Sequence, residues 1–193
     1  ANMIGRFWGI LSNFLFIPLY IKFLGIESYS VISFSLVIAG LMAILDGGLT
    51  ATLSREFALK TNDENEKKRI FSTLESCYFI ISLVIIILTF LLSNQIATSW
   101  LNLESINSEE VSYYIKILGI GISFQFLGNF YSGGFLGLEL QVKSNIYQVI
   151  FGIVRNAIVI LPLIFCPTLE VFFLWQTLVT IIYTIFLRFT LKK

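Results

Sequence analysis

A carboxylate, two arginines and two amides stand in stretches that are otherwise apolar. Asp46 interrupts ILDGGLTATLSREF, next to Gly47 and Gly48. Arg6 lies at the start of the first apolar run, and Arg155 falls within the fifth. Gln125 and Asn129 sit in YYIKILGIGISFQFLGNFYSGGFLG. An ionised Asp facing hydrocarbon at mid-helix costs roughly 3 kcal/mol on insertion scales. Such groups therefore turn toward the protein interior or a watery cavity. There a carboxylate can pair with an arginine, and amides can meet hydroxyls or water.

Arg55 does not neutralise Asp46 within one helix. Nine residues separate them, a rise of about 13 Å on roughly the opposite face. Arg6 and Arg155 are the expected partners. Gly40, Ala43, Gly47, Ala51 and Ser54 recur in steps of three and four. On a continuous helix they form a small-residue face that lets two backbones approach closely in lipid, with Asp46 at its border. Gly121, Gln125, Gly128 and Ser132 form a second such face, with Asn129 beside it.

These residues need elements to hold them. Of the 193 residues, 56% are hydrophobic and 13% charged, about half the charged share of an average soluble domain. A core of this size cannot hide so much apolar surface, so the chain reads as an integral membrane protein. A crossing helix needs roughly 20 apolar residues. Six windows qualify, at Gly5–Leu24, Tyr29–Ala51, Tyr78–Ala97, Val111–Gly133, Ile146–Phe165 and Val171–Leu187. The expected fold is an all-α six-transmembrane-helix bundle. The charge run TNDENEKKR is expected to be a solvated loop between the second and third spans.

Ten Lys and Arg residues near helix ends fall on one side of this topology, against Lys22 and Lys116 on the other. Positive charge marks the cytoplasmic face, so both ends of the chain are expected there. Cys77 and Cys166 then lie a membrane apart and form no disulfide. No basic segment leads to a small-residue cleavage site, so no signal peptide is expected.

Several function classes lack their residues. Histidine is absent, which removes a Ser–His nucleophile and the commonest metal ligand. No phosphate-binding glycine loop and no paired acidic motif for magnesium is found, so neither an enzyme nor a bound cofactor is expected. A net charge of +1 and the lack of a basic stripe give no reason to expect a nucleic-acid partner.

The segment LGIESYSVISFSLVIAGLMAILDGGLTATLSREFAL resembles the first loop and second helix of bacterial polysaccharide flippases. These are the O-antigen and capsular repeat-unit exporters of the multidrug/oligosaccharidyl-lipid/polysaccharide superfamily. Leu24-Gly25, Tyr29, Asp46, Gly48 and Arg55 carry the likeness. GFLGLELQVKSNIYQVIFGIVRNAIVI is similar to the family's junction between fourth and fifth helices. The resemblance implies that residues 1–193 are the N-terminal lobe of a MATE-like two-lobe transporter, with the C-terminal lobe outside this chain. It implies that an undecaprenyl-diphosphate-linked oligosaccharide crosses the bacterial plasma membrane by alternating access, with protons or Na+ as coupling ion. Arg6 and Arg155 would hold the diphosphate, Asp46 would pair with one of them in the empty state, and Gln125 and Asn129 would meet sugar hydroxyls. The alternatives are a MATE-type drug or cation antiporter and a non-transporting membrane scaffold subunit.

Overall fold

The computed structural model describes residues 15–59, 63–101 and 106–192, which form helices joined by short turns and no strand. The helices are α1 (Leu15–Leu24), α2 (Ile26–Leu45), α3 (Leu49–Ala58), α4 (Glu64–Ile96), α5 (Ser108–Gly137), α6 (Gln141–Asn156), α7 (Ile160–Phe165) and α8 (Leu169–Leu191). A five-residue π-turn, Ala97–Leu101, follows α4. Among the described residues, four helical stretches are long and apolar enough to cross a membrane: Glu64–Trp100, Ser108–Gly137, Gln141–Phe165 and Leu169–Leu191. The chain is a helical membrane protein.

The second expected window is not one helix. Gly47 and Gly48 have φ values of 52° and 87°, left-handed backbone that glycine adopts without a Cβ penalty. They end α2 at Leu45 and start α3 at Leu49. The small-residue face predicted from Gly40 to Ser54 is therefore cut in two. Gly40 faces open space, with nothing within 4 Å of the position of a Cβ. Ser54, beyond the break, donates to the Gly133 carbonyl of α5 at 2.7 Å.

The charge run is likewise not all loop. Asp63 accepts from the Glu64 N–H at 2.7 Å, and Glu64 and Glu66 lie in the first turn, where negative charge favours a helix. From there α4 runs 33 residues, about 50 Å, well beyond the 30 Å of a hydrocarbon core. Its inner stripe is Phe71, Glu75, Tyr78, Ser82, Ile85, Thr89 and Ser93, all buried. Phe79, Ile80, Leu83, Val84, Ile87 and Leu91 point outward, as a lipid-facing side should.

Helix α5 is the axis of the bundle, packed chiefly against α4, α8 and α3. Hydroxyls stitch these helices to its carbonyls. Ser82 reaches Ser123 O at 3.3 Å, Thr177 reaches Ile117 O at 3.3 Å and Thr184 reaches Phe124 O at 2.8 Å. Such bonds are worth about 0.6 kcal/mol each in a membrane bundle, so close backbone approach matters as much as the bonds.

The fifth window is also divided. Pro162 lacks an N–H, and its ring crowds the carbonyl four residues earlier. The helical pattern gives way at residues 157–159, between α6 and α7. That break sets up the site.

Candidate functional site

A helix that stops inside a bundle leaves its last carbonyls without helical donors. At the end of α6 three of them are met from other helices. The Trp175 indole N–H donates to Val154 O at 3.1 Å, the Gln176 amide to Arg155 O at 3.2 Å and the Tyr20 hydroxyl to Asn156 O at 2.8 Å. Trp175 and Gln176 come from α8 and Tyr20 from α1. Arg155 lies in the last turn of α6, where a cation meets the negative end of the helix dipole.

The Arg155 Nε is buried and has no hydrogen-bond partner among the described residues. Among the described residues, Tyr20 and Tyr183 are the ionisable side chains close enough to act on it electrostatically; neither is a carboxylate. A buried guanidinium N–H with no acceptor costs about 1–3 kcal/mol and more with charge. Such a group is either strained or waiting for an acceptor.

Two cavities flank it, of about 160 Å³ and 130 Å³, and Gln125, Arg155 and Thr180 line both. The first is walled by Tyr20, Tyr29 and Phe172 with Ser35 and Gln176. The second carries Asn129, Ser132, Gln148 and Tyr183. The described lining of both mixes polar with aromatic and aliphatic side chains and holds no Asp or Glu. The site can therefore donate to an anion and trade hydrogen bonds with hydroxyls. Among the described residues no cluster of three or more His, Cys, Asp or Glu is placed to hold a metal ion.

The structure thus brings Arg155, Gln125 and Asn129 to one groove. Arg6 lies outside the described residues. Asp46 lies elsewhere, and among the described residues its side-chain partners are hydroxyls. Tyr78 of α4 and Thr50 of α3 both donate to its Oδ1, and their two hydroxyl oxygens are 2.7 Å apart. The expected partner was Arg6 or Arg155; Arg155 makes no ion pair with Asp46, and Arg6 lies outside the described residues. Tyr78 is fully buried, stacked on Phe126 and Phe130 at 4.7 and 4.5 Å.

No protein-family model, curated protein or solved structure matches the chain.

One ionic group escaped the sequence reading. Glu75 is buried and accepts from Tyr131 at 2.9 Å, Arg188 at 2.8 Å and Lys192 at 3.1 Å. It ties α4, α5 and α8 together at one end. Its signal was the spacing Phe71, Glu75, Tyr78, Ser82, which places the carboxylate on the inner stripe. Tyr20, Trp175 and Gln176 were missed because their partners are carbonyls freed by a break that was not foreseen.

Proposed function

We propose that this chain is the N-terminal lobe of a flippase that carries a diphosphate-linked oligosaccharide across a bacterial plasma membrane by alternating access. The carrying observation is the buried Nε of Arg155, without a hydrogen-bond partner among the described residues, in a groove whose described lining is free of carboxylates. Arginine offers a planar fork of donors matched to phosphate oxygens. Gln125, Asn129, Gln148 and Gln176 add amides of the kind that meet sugar hydroxyls.

On this reading α1 is the first span and the broken pair α2 and α3 the second. They join the four long stretches in a MATE-like lobe of six. A matching lobe from outside this chain would close the groove, with the undecaprenyl tail left in the bilayer. The basic residues gathered around Glu75 and Lys67 would face the cytoplasm. Asp46, held by Thr50 and Tyr78, is the carboxylate available for coupling to protons or Na+. A drug or cation antiporter is disfavoured, because a cation site needs negative charge that the described lining lacks.

The test is Arg155→Ala in the full-length protein, with surface glycan and membrane protein level both measured. Loss of a charged hydrogen bond to the substrate, about 1.5–3 kcal/mol, corresponds to a drop in export of roughly tenfold or more at unchanged protein level. Unchanged export would remove Arg155 from the site. Efflux of cationic dyes without any effect on glycan would favour the antiporter, and absence of any transport the scaffold.

A further inference from the structure

A further cavity lies away from Arg155, at the basic end of the bundle. It is a half-open space of about 540 Å³ lined by Phe57, Phe71 and Leu191 together with Lys67, Lys68 and Lys192. Phe57 and Phe71 stack at 6.1 Å, and the Lys192 ammonium stands 5.4 Å over the Phe71 ring. The cavity is therefore amphipathic, an aromatic floor under a cationic rim.

Its charge is not balanced from within. Glu75 and Glu64 reach the wall, but Glu75 already accepts from Arg188 and Lys192. Three lysines (Lys67, Lys68 and Lys192) thus line the cavity against two carboxylates (Glu64 and Glu75), and Arg188 meets Glu75 from outside the lining. The Lys67 ammonium donates to the Phe57 carbonyl at 3.0 Å, at the end of α3, and among the described residues no carboxylate pairs with Lys67 or Lys68.

Depth narrows the occupant. Phe79 is the first residue of the outward apolar stripe of α4. Glu75 lies about 6 Å and Lys68 about 16 Å farther along the axis. The cavity therefore begins at the level of phospholipid headgroups, and long lysine side chains reach back toward them. Its volume far exceeds that of an inorganic phosphate, and an aromatic floor has no use for one. A lipid phosphodiester uses both halves.

We infer that this cavity, lined by Lys67, Lys68 and Lys192 over Phe57 and Phe71, binds the headgroup of an anionic phospholipid. The phosphodiester meets the lysines, and the glycerol backbone lies against the aromatic floor. This holds or fails independently of what the groove around Arg155 carries.

The intact protein in neutral detergent is titrated with phosphatidylglycerol or phosphatidylcholine, and retained lipid is counted by native mass spectrometry. Phosphatidylglycerol should be retained in preference. The Lys67→Gln/Lys68→Gln pair should weaken that retention about tenfold or more, since each lysine near an anionic headgroup matters by about that order. Lys68→Glu, a reversal at an exposed side chain that leaves the helices packed, should weaken it as well. Lys143→Gln, exposed outside the cavity, should leave it unchanged. Equal retention of both lipids, or native retention by the double variant, overturns the assignment. Displacement of phosphatidylglycerol by millimolar inorganic phosphate overturns it too, in favour of a free-phosphate site.

Discussion

Gly137 at the end of α5 lies so close to Ser54 of α3 that a Cβ on it would stand 2.6 Å from the Ser54 carbonyl oxygen and 2.9 Å from its Cα. Both are backbone atoms, so no rotamer change can yield space. The approach explains how α3, only ten residues long, is held in the bundle at all.

Gly137→Ala should therefore push α3 off α5, at about 1–3 kcal/mol for overpacking. Gly40→Ala is the matched control, because nothing lies within 4 Å of its Cβ position. It should be neutral or stabilising by up to about 1 kcal/mol through helix propensity. Reversible unfolding of the two variants in mixed micelles measures the difference, and equal effects would refute the close-packing account.

Trp175→Phe keeps a ring on α8 but removes the donor to Val154 O. The expected cost is about 1 kcal/mol, the range of interhelical hydrogen bonds in membrane bundles. That carbonyl precedes Arg155, so the variant should also lower transport while the protein remains in the membrane. Native transport alongside the destabilisation would limit Trp175 to packing.

Glu75 meets two cations, yet its removal should be mild. The side chains of Arg188 and Lys192 are 38% and 44% exposed against 10% for Glu75. Freed of the carboxylate, both can return to water, unlike the partner of a fully buried pair, whose isolation costs 3–5 kcal/mol. Glu75→Gln keeps an acceptor for Tyr131 and should cost about 1 kcal/mol. Unfolding in low and high salt checks this, since the native chain should lose part of the difference as salt screens the network.

What could be read from the sequence followed from the strength of each local signal. The apolar windows later found in α4, α5 and α8 were plain, because long runs of Ile, Leu and Phe admit no other reading. Arg155, Gln125 and Asn129 stood out for the same reason, as polar side chains where lipid or core was expected. The breaks did not. Gly47 and Gly48 fitted a small-residue face as well as a left-handed turn, and only the backbone distinguishes the two. Pro162 sat near the end of a window, where a proline reads as a terminus. For Asp46, matching charge with charge points to Arg6 or Arg155. Tyr78, 32 residues away in sequence, offered only a hydroxyl, and no local pattern connects the two.

The Asp46–Tyr78 contact can be measured apart from any transport assay. Tyr78→Phe removes one donor and keeps the ring stacked on Phe126 and Phe130. Asp46→Asn keeps an oxygen acceptor and removes the charge. If Tyr78 bonds the ionised carboxylate, each single change should cost about 1–2 kcal/mol, because a hydrogen bond to a charge exceeds a neutral one. The double variant should cost less than the sum of the two, with a coupling of about 0.5–3 kcal/mol. Thr50→Val probes the second donor in the same way and should couple to Asp46→Asn but only weakly to Gln125→Ala, which lines the separate groove. Strict additivity of Asp46→Asn and Tyr78→Phe would mean that the Tyr78 hydroxyl does not hold the carboxylate, leaving Thr50 as its donor at the break.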